Sequence, residues 1–339
     1  MRIVLWVPGL AVAAALLAGC GGGGNGETTT ASNPSSTASR PITKEVHVIL
    51  DGEQGPESLG ILTAIQQGYF EEAGIYVFAG IPLEPNRPVN YLTKGLGSIG
   101  VAQEPQVAIG RENGKPVVAV GSLIPQPTAA MIWLQGSKIH GIADLKGKTI
   151  AIPGVPFQKA FLKAVLAQAG LTLADVKVEN VKYELVPALL SGRADAIFGG
   201  SANIEGVELE SRGEKPVITP VQVLGIPDYE EDVVIARSDL VKKDPQLIRD
   251  FMSAVARGTA KAIEDPRSAF FAIKYGVEAE LPADRETTEA EIEATLPLLS
   301  KSGQMSPGRA SHLVNWMQQE GMIQGKLPAS ALLTNRYLP

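Results

Sequence analysis

The stretch that decides the fold runs from Gly199 to Ala236 and reads GGSANIEGVELESRGEKPVITPVQVLGIPDYEEDVVIA. It follows the run 194–198, whose length and bounds are typical of a buried strand. Its first polar residues therefore come at the carboxyl end of a strand, where ligands bind in open α/β sheets. Later, the turn-rich segment 225–229 precedes the apolar run 233–236. We interpret this break as a crossing of the chain from one half of the molecule into the other.

Strand-like runs alternate with helical patterns on the amino-terminal side of this stretch. The runs lie at 46–50, 99–102, 115–120, 129–134 and 176–181. Repeated strand and helix units of this length favour a mostly parallel sheet with right-handed crossovers. After 236 the pattern is helical, and Asp244 followed by Pro245 predicts a helix start with Asp244 as the N-cap. The sequence therefore predicts an α/β protein.

Composition and charge limit the possible classes of function. The chain has 339 residues, of which 45% are hydrophobic and 19% charged, so it can bury two ordinary cores. Its formal charge is -6 and aromatic residues make up 5%. Because there is also no run of basic residues, the sequence does not favour nucleic-acid binding.

The amino terminus has the layout of a secretory signal. Arg2 precedes an apolar run from Ile3 to Leu17, which ends in Leu-Ala-Gly-Cys and is short for a membrane span. This ending resembles a bacterial lipobox, which implies cleavage before Cys20 and lipid attachment to it. Cys20 is the only cysteine, so no disulfide is expected. Residues 21–42 are mainly Gly, Ser, Thr, Asn and Pro, which predicts a flexible linker.

Several catalytic and metal-binding patterns are incomplete. The segment 141–149 resembles a phosphate-binding loop with the wrong glycine spacing, and 199–203 resembles a nucleophile elbow without its last glycine. The histidines lie far apart in the sequence, at His47, His140 and His312. No metal-type spacing joins them. We expect no enzymatic activity, no metal and no cofactor.

Four features of the deciding stretch have two readings each. Glu205 can accept hydrogen bonds from ring and exocyclic amino groups, or can be a helix N-terminal acid stabilised by the helix dipole. Asn203 can be an N-cap or a ligand contact. Tyr229 can stack on a planar ligand or pack the crossing. The acidic run 228–232 can bind a hard cation, although a solvated turn between the halves is the preferred reading.

Two motifs carry a resemblance to a known family. Gly-Gly-x-x-Asn-x-Glu at 199–205 and Gly-Ile-Pro-Asp-Tyr at 225–229 resemble the ThiY-like branch of periplasmic solute-binding proteins. That branch binds pyrimidine precursors of thiamine for an ABC importer, within a superfamily of sulfonate, taurine and nitrate binders. The segments 68–77 and 142–152 are also similar to phrases of this superfamily. The loop after the first strand, which the resemblance implies to form part of one wall of the cleft, departs from the pattern of the branch.

The resemblance implies a type II periplasmic-binding-protein fold, in which two lobes with mostly parallel sheets enclose a cleft. We expect a signal at 1–20, a linker at 21–42, lobe 1 at 43–125 and 230–339, and lobe 2 at 126–229. Strand-end position and resemblance together give these expected ligand-binding residues: Asp51, Gln103, Glu104, Phe157, Asn203, Glu205 and Tyr229.

The implied function is binding of a small molecule, a thiamine-related aminopyrimidine, for an ABC permease and its ATPase. The protein would be a monomer at the extracytoplasmic face, held to the membrane by lipid on Cys20. One alternative ligand class is a sulfonate, taurine, nitrate or another small organic anion. Another alternative is a sensor or scaffold lipoprotein. A pyrimidine synthase of the same fold is disfavoured, because its cysteine-rich motif is missing and no histidine lies in a comparable loop.

Overall fold

The structure is a computed structural model that describes residues 41–52, 55–82, 88–276 and 283–339. The expected signal at 1–20, including Cys20, and nearly all of the expected linker lie outside these residues. Among the described residues, no helix has both the length and the apolar character needed to cross a bilayer.

Ten strands are found in the described part of the chain. They are β1 (Lys44–Ile49), β2 (Ile75–Gly80), β3 (Ile99–Ala102), β4 (Val117–Ile124), β5 (Ala129–Leu134), β6 (Thr149–Ile152), β7 (Lys177–Asn180), β8 (Ala196–Ser201), β9 (Pro216–Pro220) and β10 (Asp232–Arg237). The predicted runs 99–102 and 129–134 coincide with β3 and β5.

The helices of the described residues occupy the segments between strands and most of the carboxyl-terminal third. They are α1 (Leu59–Gln66), α2 (Tyr69–Glu72), α3 (Pro88–Thr93), α4 (Glu104–Glu112), α5 (Pro156–Gln168), α6 (Leu185–Leu190), α7 (Glu205–Ser211), α8 (Ser238–Lys243), α9 (Pro245–Glu264), α10 (Pro266–Lys274), α11 (Arg285–Thr295), α12 (Pro307–Gln319) and α13 (Ala329–Leu332). Short 3₁₀ turns lie at Pro56–Ser58, Ile142–Leu145, Leu173–Asp175 and Leu296–Leu298.

The strands form two five-stranded sheets with the same internal plan. The first sheet has the order β2-β1-β3-β10-β4, and the second has the order β7-β6-β8-β5-β9. In the first sheet, β10 pairs antiparallel with both neighbours while the other pairings are parallel. In the second sheet, β5 has the same antiparallel role. Each sheet therefore has one strand that runs against the other four, and the expected mixed α/β architecture with parallel-rich sheets is confirmed.

Both faces of the first sheet are covered at β10, which explains why residues 233–236 are apolar on both faces. In β10, Val233 and Ile235 pack into one buried cluster, whereas Val234 and Ala236 pack into another. Because successive side chains of a strand point to opposite faces, a strand with helices on both sides has no place for polar alternation.

Helices α1 and α9 pack closely on one face of the first sheet. The Asp244 side chain accepts from the Leu247 backbone N–H at 3.0 Å and Pro245 occupies the first position of α9, so the predicted helix start is confirmed. A side chain at Gly258 would place its Cβ 2.1 Å from the Gly60 carbonyl oxygen of α1. The two helices can approach this closely only because glycine lacks a Cβ.

Candidate functional site

A cavity of about 190 Å³ lies where strands of both sheets end. Asp51 follows β1 and Gln103 follows β3 in the first sheet, while Val155 and Tyr183 follow β6 and β7 in the second and Ser201 ends β8. The cavity therefore opens at the carboxyl ends of parallel strands, as open α/β sheets favour. A cavity of about 150 Å³ accepts benzene, so this one has room for a single substituted aromatic ring.

The wall of the cavity is strongly acidic. Carboxylate side chains line it from strand β10, from helices α7 and α11 and from the segments beside the strands: Asp51, Glu57, Glu205, Glu208, Glu231, Asp232 and Glu291. Among the described residues of the lining, Lys182 is the one basic side chain. This balance gives the cavity a negative potential, which attracts positively charged or donor-rich molecules and repels anions.

Glu205 begins helix α7 and turns back toward the strand before it. Its Oε2 accepts from the Ser201 backbone N–H at 2.6 Å, and this hydrogen bond stabilises the turn between β8 and α7. The helix starts at Glu205 with Ile204 as its N-cap, so the reading of Asn203 as N-cap is wrong. Glu205 thus has the predicted position of a helix N-terminal acid and also lines the cavity, while its hydrogen bonding to a ligand stays a prediction.

Ser201 joins the walls contributed by the two sheets. Its hydroxyl donates to Glu57 Oε1 at 3.1 Å and accepts from the Thr128 hydroxyl at 3.1 Å. Glu57 lies in the 3₁₀ turn that follows β1, whereas Ser201 ends β8 of the second sheet. The hydrogen bond between them therefore connects the two sheets directly beside the cavity.

Close packing beside Ser201 explains a glycine of the deciding stretch. Gly199 has a φ of +85°, and a Cβ there would lie 2.5 Å from the side-chain amide nitrogen of Gln158. That amide donates to the Gly199 carbonyl oxygen at 3.2 Å. Both the left-handed backbone and the close amide require glycine at this position. Gln158 is thereby held in the cavity wall.

Glu231 is buried at the point where the chain crosses between the sheets. Its Oε2 accepts from the backbone N–H groups of Thr128 at 2.8 Å and Ala129 at 3.4 Å, and the Gln103 amide donates to its other oxygen. Burial nevertheless raises the pKa of Glu231, because these donors only partly replace the water that the carboxylate loses. Glu231 therefore links its own crossing to the first crossing at Thr128 and Ala129 by hydrogen bonds, and it also lines the cavity.

Glu57 has a markedly raised pKa, at about 8. Burial is the largest cause, and the negative charges of Glu231, Glu205 and Asp51 add to it, while the Ser201 hydroxyl opposes it. The pKa of Asp232 is also raised, first by burial and then by Glu57 and Glu231. Like charges in a site of low dielectric disfavour simultaneous ionisation, so the wall holds protons that ordinary carboxylates would release.

The structure brings three of the predicted site residues to the cavity wall, namely Asp51, Gln103 and Glu205. Asp51 accepts from the Gln106 amide at 2.8 Å, which fixes its carboxylate at the end of β1. Their contact with a ligand stays a prediction.

The other predicted side chains lie outside the cavity lining. Glu104 is buried and accepts from the Glu230 backbone N–H at 2.9 Å. Phe157 is buried against Phe161, with ring centroids 4.8 Å apart. Asn203 is buried and donates to the Thr295 hydroxyl at 2.8 Å. These positions do not support a direct ligand contact, because each side chain is already engaged within the protein.

Tyr229 is fully buried in the core and does not line the cavity. Its ring meets Phe161 edge to face at 6.0 Å. Of the two readings of this residue, the structure agrees with packing at the crossing. The interpretation of the neighbouring acidic run as a solvated turn is wrong, because Glu230, Glu231 and Asp232 are buried at 1%, 2% and 6% exposure. The described residues contain no cluster of His, Cys, Asp and Glu suited to a metal ion.

Residues 55–269 match the family described as NMT1/THI5 like. The chain belongs to this family. A formylaminopyrimidine-binding protein of Halalkalibacterium halodurans is 30% identical over 269 residues, which cover 78% of this chain and 81% of the relative. A putative thiamine biosynthesis protein of Haemophilus influenzae is 28% identical over 281 residues, covering 83% of this chain and 88% of the relative. The resemblance predicted from the motifs at 199–205 and 225–229 is therefore confirmed.

Solved structures show the same fold for this member of the NMT1/THI5-like family. The alkanesulfonate-binding protein SsuA of Xanthomonas axonopodis pv. citri superimposes with a TM-score of 0.67 at 15% identity, covering 88% of this chain and 99% of that one. Identity at this level carries the fold and not the ligand. The predicted periplasmic-binding-protein fold is confirmed.

Several cavity residues were not predicted from the sequence. Glu57, Glu231 and Asp232 come from the loop after β1 and from the acidic run, whereas Gln158 comes from helix α5 and Tyr183 from the turn after β7. The resemblance implies that the loop after β1 forms part of one wall of the cleft, and this position indicates that Glu57 can face the cavity. The acidic run gave no signal for burial, because burial of carboxylates depends on donors that are distant in sequence.

Proposed function

We propose that this protein is the solute-binding component of an ABC importer and that it encloses a thiamine-related aminopyrimidine in the carboxylate-lined cavity. The observation that carries the proposal is the acidic wall at the strand ends of both sheets. An aminopyrimidine presents amino donors along one edge, and carboxylates such as Glu205 accept from such groups. The formylaminopyrimidine-binding relative supports the same ligand class.

The acidic wall disfavours the alternative of a sulfonate, nitrate or other anion. Such a ligand would lie beside several carboxylates with Lys182 as the one described basic side chain of the lining. Burial and mutual repulsion already raise the pKa of Glu57 to about 8, so an added negative charge would be opposed by the same field. A donor-bearing ring relieves this repulsion instead.

Binding is proposed to act through closure of two lobes, comprising 43–125 with 230–339 and 126–229. Two hydrogen bonds join elements of these segments beside the cavity: Ser201 to Glu57 at 3.1 Å and Asn203 to Thr295 at 2.8 Å. A ligand that contacts both walls would favour the closed arrangement, because it gains differential contacts in that state. The closed form would be presented to a permease and its ATPase, and no covalent chemistry is required.

The membrane location is part of the proposal and rests on the amino-terminal sequence. Cys20, which lies outside the described residues, would carry the lipid and residues 21–42 would let the folded part reach the permease. Cys20→Ser should move the protein from the membrane fraction to the soluble extracytoplasmic fraction. Retention of the variant in the membrane fraction would remove the lipid anchor from the proposal.

A thermal-shift screen tests the ligand class. The protein is heated with aminopyrimidines, thiamine, an alkanesulfonate, taurine and nitrate, each over a concentration series. An aminopyrimidine at 100 times its dissociation constant should stabilise the protein by about 2.7 kcal/mol. Stabilisation by a sulfonate or nitrate, with no response to aminopyrimidines, would contradict the proposal.

Glu205→Gln tests the predicted anchor residue within the same screen. The substitution keeps the shape of the side chain but replaces a carboxylate oxygen by a donor, so the dissociation constant for an aminopyrimidine should rise at least about tenfold, or 1.4 kcal/mol. Glu210→Gln is the matched control, because Glu210 lies on the same helix and is exposed. Equal affinity of the Glu205→Gln variant and the wild type would remove Glu205 from the site.

A further inference from the structure

Asp232 is a buried carboxylate in the cavity wall that is not satisfied by the protein. It begins β10, is 6% exposed and lines the cavity. Burial and the charges of Glu57, Glu231 and Asp51 act on it, and no donor among the described residues forms a hydrogen bond with its side chain. Burying a carboxyl group without a donor is costly in either protonation state, so such a group indicates that a partner arrives from outside the protein.

A second acceptor of the wall is in the same condition. Gln158 is 3% exposed and lines the cavity, and its amide nitrogen donates to the Gly199 carbonyl oxygen at 3.2 Å. Its side-chain oxygen has no hydrogen-bond donor within the described structure. The amide is held by Gly199, so its oxygen cannot readily turn away to find a donor elsewhere. The residues that line the cavity therefore include two buried acceptors without a donor among the described residues, namely the Asp232 carboxyl group and the Gln158 amide oxygen.

The charge balance distinguishes a cation from a merely polar ligand. A neutral ring with amino groups supplies donors but leaves the repulsion between Asp232, Glu57 and Glu231 in place. A protonated amine supplies donors and also a positive charge, which favours the ionised form of every carboxylate around it. The arrangement therefore gives its largest stabilisation to a ligand that carries a formal positive charge.

We propose that Asp232, with Glu57 beside it, forms a cation subsite and that this protein selects aminopyrimidines bearing a protonated amine over neutral ones. This inference rests on the proposed function, since it concerns the same cavity and narrows the ligand class to organic cations. Asp232 is the specificity-determining residue, and Glu57 is the neighbouring carboxyl group, which accepts from the Ser201 hydroxyl.

A matched pair of ligands tests the proposal. The probes are 4-amino-5-hydroxymethyl-2-methylpyrimidine and its 5-aminomethyl analogue, which have the same number of heavy atoms and differ in charge at pH 7. Isothermal titration of the wild-type protein should give at least about tenfold tighter binding of the aminomethyl compound. Asp232→Asn should weaken binding of the cationic aminomethyl compound while the hydroxymethyl compound keeps its affinity. The preference should therefore fall to about threefold or less.

Two further variants keep the test decisive. Asp239→Asn removes one negative charge from an exposed carboxylate paired with Arg237, outside the cavity lining, and should leave the preference unchanged. Should Asp232→Asn fail to fold, Glu57→Gln carries the same expectation, because its amide oxygen can still accept from Ser201. Equal affinity of the wild type for both probes, or a full preference in the Asp232→Asn variant, overturns the cation subsite alone. If neither probe binds, the proposed function fails as well.

Discussion

Two buried carboxylates, Glu230 and Asp232, lie two residues apart at the second crossing, and their surroundings are opposite. Glu230 accepts from the Ser122 hydroxyl at 2.8 Å, the Arg309 guanidinium at 2.7 Å and the Ser306 backbone N–H at 3.2 Å. Asp232, two residues later, lies in the cavity wall and has no donor among the described residues. One carboxylate is satisfied by the fold, whereas the other is left to be satisfied by a ligand.

This difference separates a structural from a functional use of the same residue type. The Arg309 guanidinium also donates to the Pro125 carbonyl oxygen at 2.6 Å, so Glu230 and Arg309 together connect the two crossings. Burial raises the pKa of Glu230, and the Ser122 hydroxyl and the Arg309 charge oppose that rise. At Asp232 the neighbouring charges are all negative and act in the same direction as burial.

The largest expected effect on stability comes from replacing Arg309, the cation that pairs with the buried Glu230. Arg309→Met leaves Glu230, at 1% side-chain exposure, without its ion-pair partner. Breaking a buried pair from one side costs about 3 kcal/mol or more, so chemical denaturation should show a loss of that order. Arg285→Met is the control, because Arg285 pairs with Glu289 at the surface and should cost about 1 kcal/mol or less. Equal losses in both variants would refute the structural role of Arg309.

Replacing Asp232, the carboxylate without a donor, should change the free energy of unfolding in the opposite direction. Asp232→Asn removes a carboxyl group whose pKa is raised by burial and by its neighbours, so folding at pH 8 no longer carries that cost and the unliganded protein should gain about 1–2 kcal/mol in free energy of unfolding. Asp239→Asn, at an exposed pair, should give no gain. A loss of stability on Asp232→Asn, measured by denaturation without ligand, would show that Asp232 is satisfied by the fold after all.

The sequence predicted the positions of the strands better than it predicted the site. Apolar runs such as 129–134 define buried strands by themselves, and the strand-end rule then placed Asp51, Gln103 and Glu205 at the cavity. The same rule also selected Glu104 and Phe157, which lie next to strand ends but point into the protein. Strand ends fix the neighbourhood of a side chain, while its direction depends on the turn that follows.

The acidic run shows why the remaining part of the site was not predicted. In isolation, charged residues beside a Gly-Ile-Pro turn are typical of a solvated loop. Glu230 and Glu231 can be buried here because Ser122, Thr128 and Arg309 supply donors from segments roughly a hundred residues before them or about eighty after them along the chain. Donors at that distance in sequence cannot be recognised without the fold.

A pH dependence of stability is also expected from the buried carboxyl groups, and Glu57 contributes to it from the cavity wall. The pKa of Glu57 is raised to about 8 in the folded protein, so between pH 4.5 and pH 8 the folded state binds more protons than the unfolded state. By linkage, stability falls as the pH rises through this window. The unliganded protein should lose at least about 1 kcal/mol between pH 5 and pH 8. Thermal unfolding at a series of pH values measures the slope.

Glu57→Gln sharpens that measurement. The variant lacks the titrating group, so its stability should depend less steeply on pH than that of the wild type over the same window. A saturating cationic ligand should flatten the wild-type slope in the same way, because it favours ionised carboxylates. Identical slopes for the variant and the wild type would remove Glu57 from the pH response.

A crystal structure of the complex with an aminopyrimidine tests the central claim most directly. We expect the ring to lie in the cavity between the two sheets, with an amino group within hydrogen-bond distance of Glu205 or Asp232. A ligand ordered at another surface of the protein, or one in the cavity with its amino edge turned away from both carboxylates, would refute the proposed site.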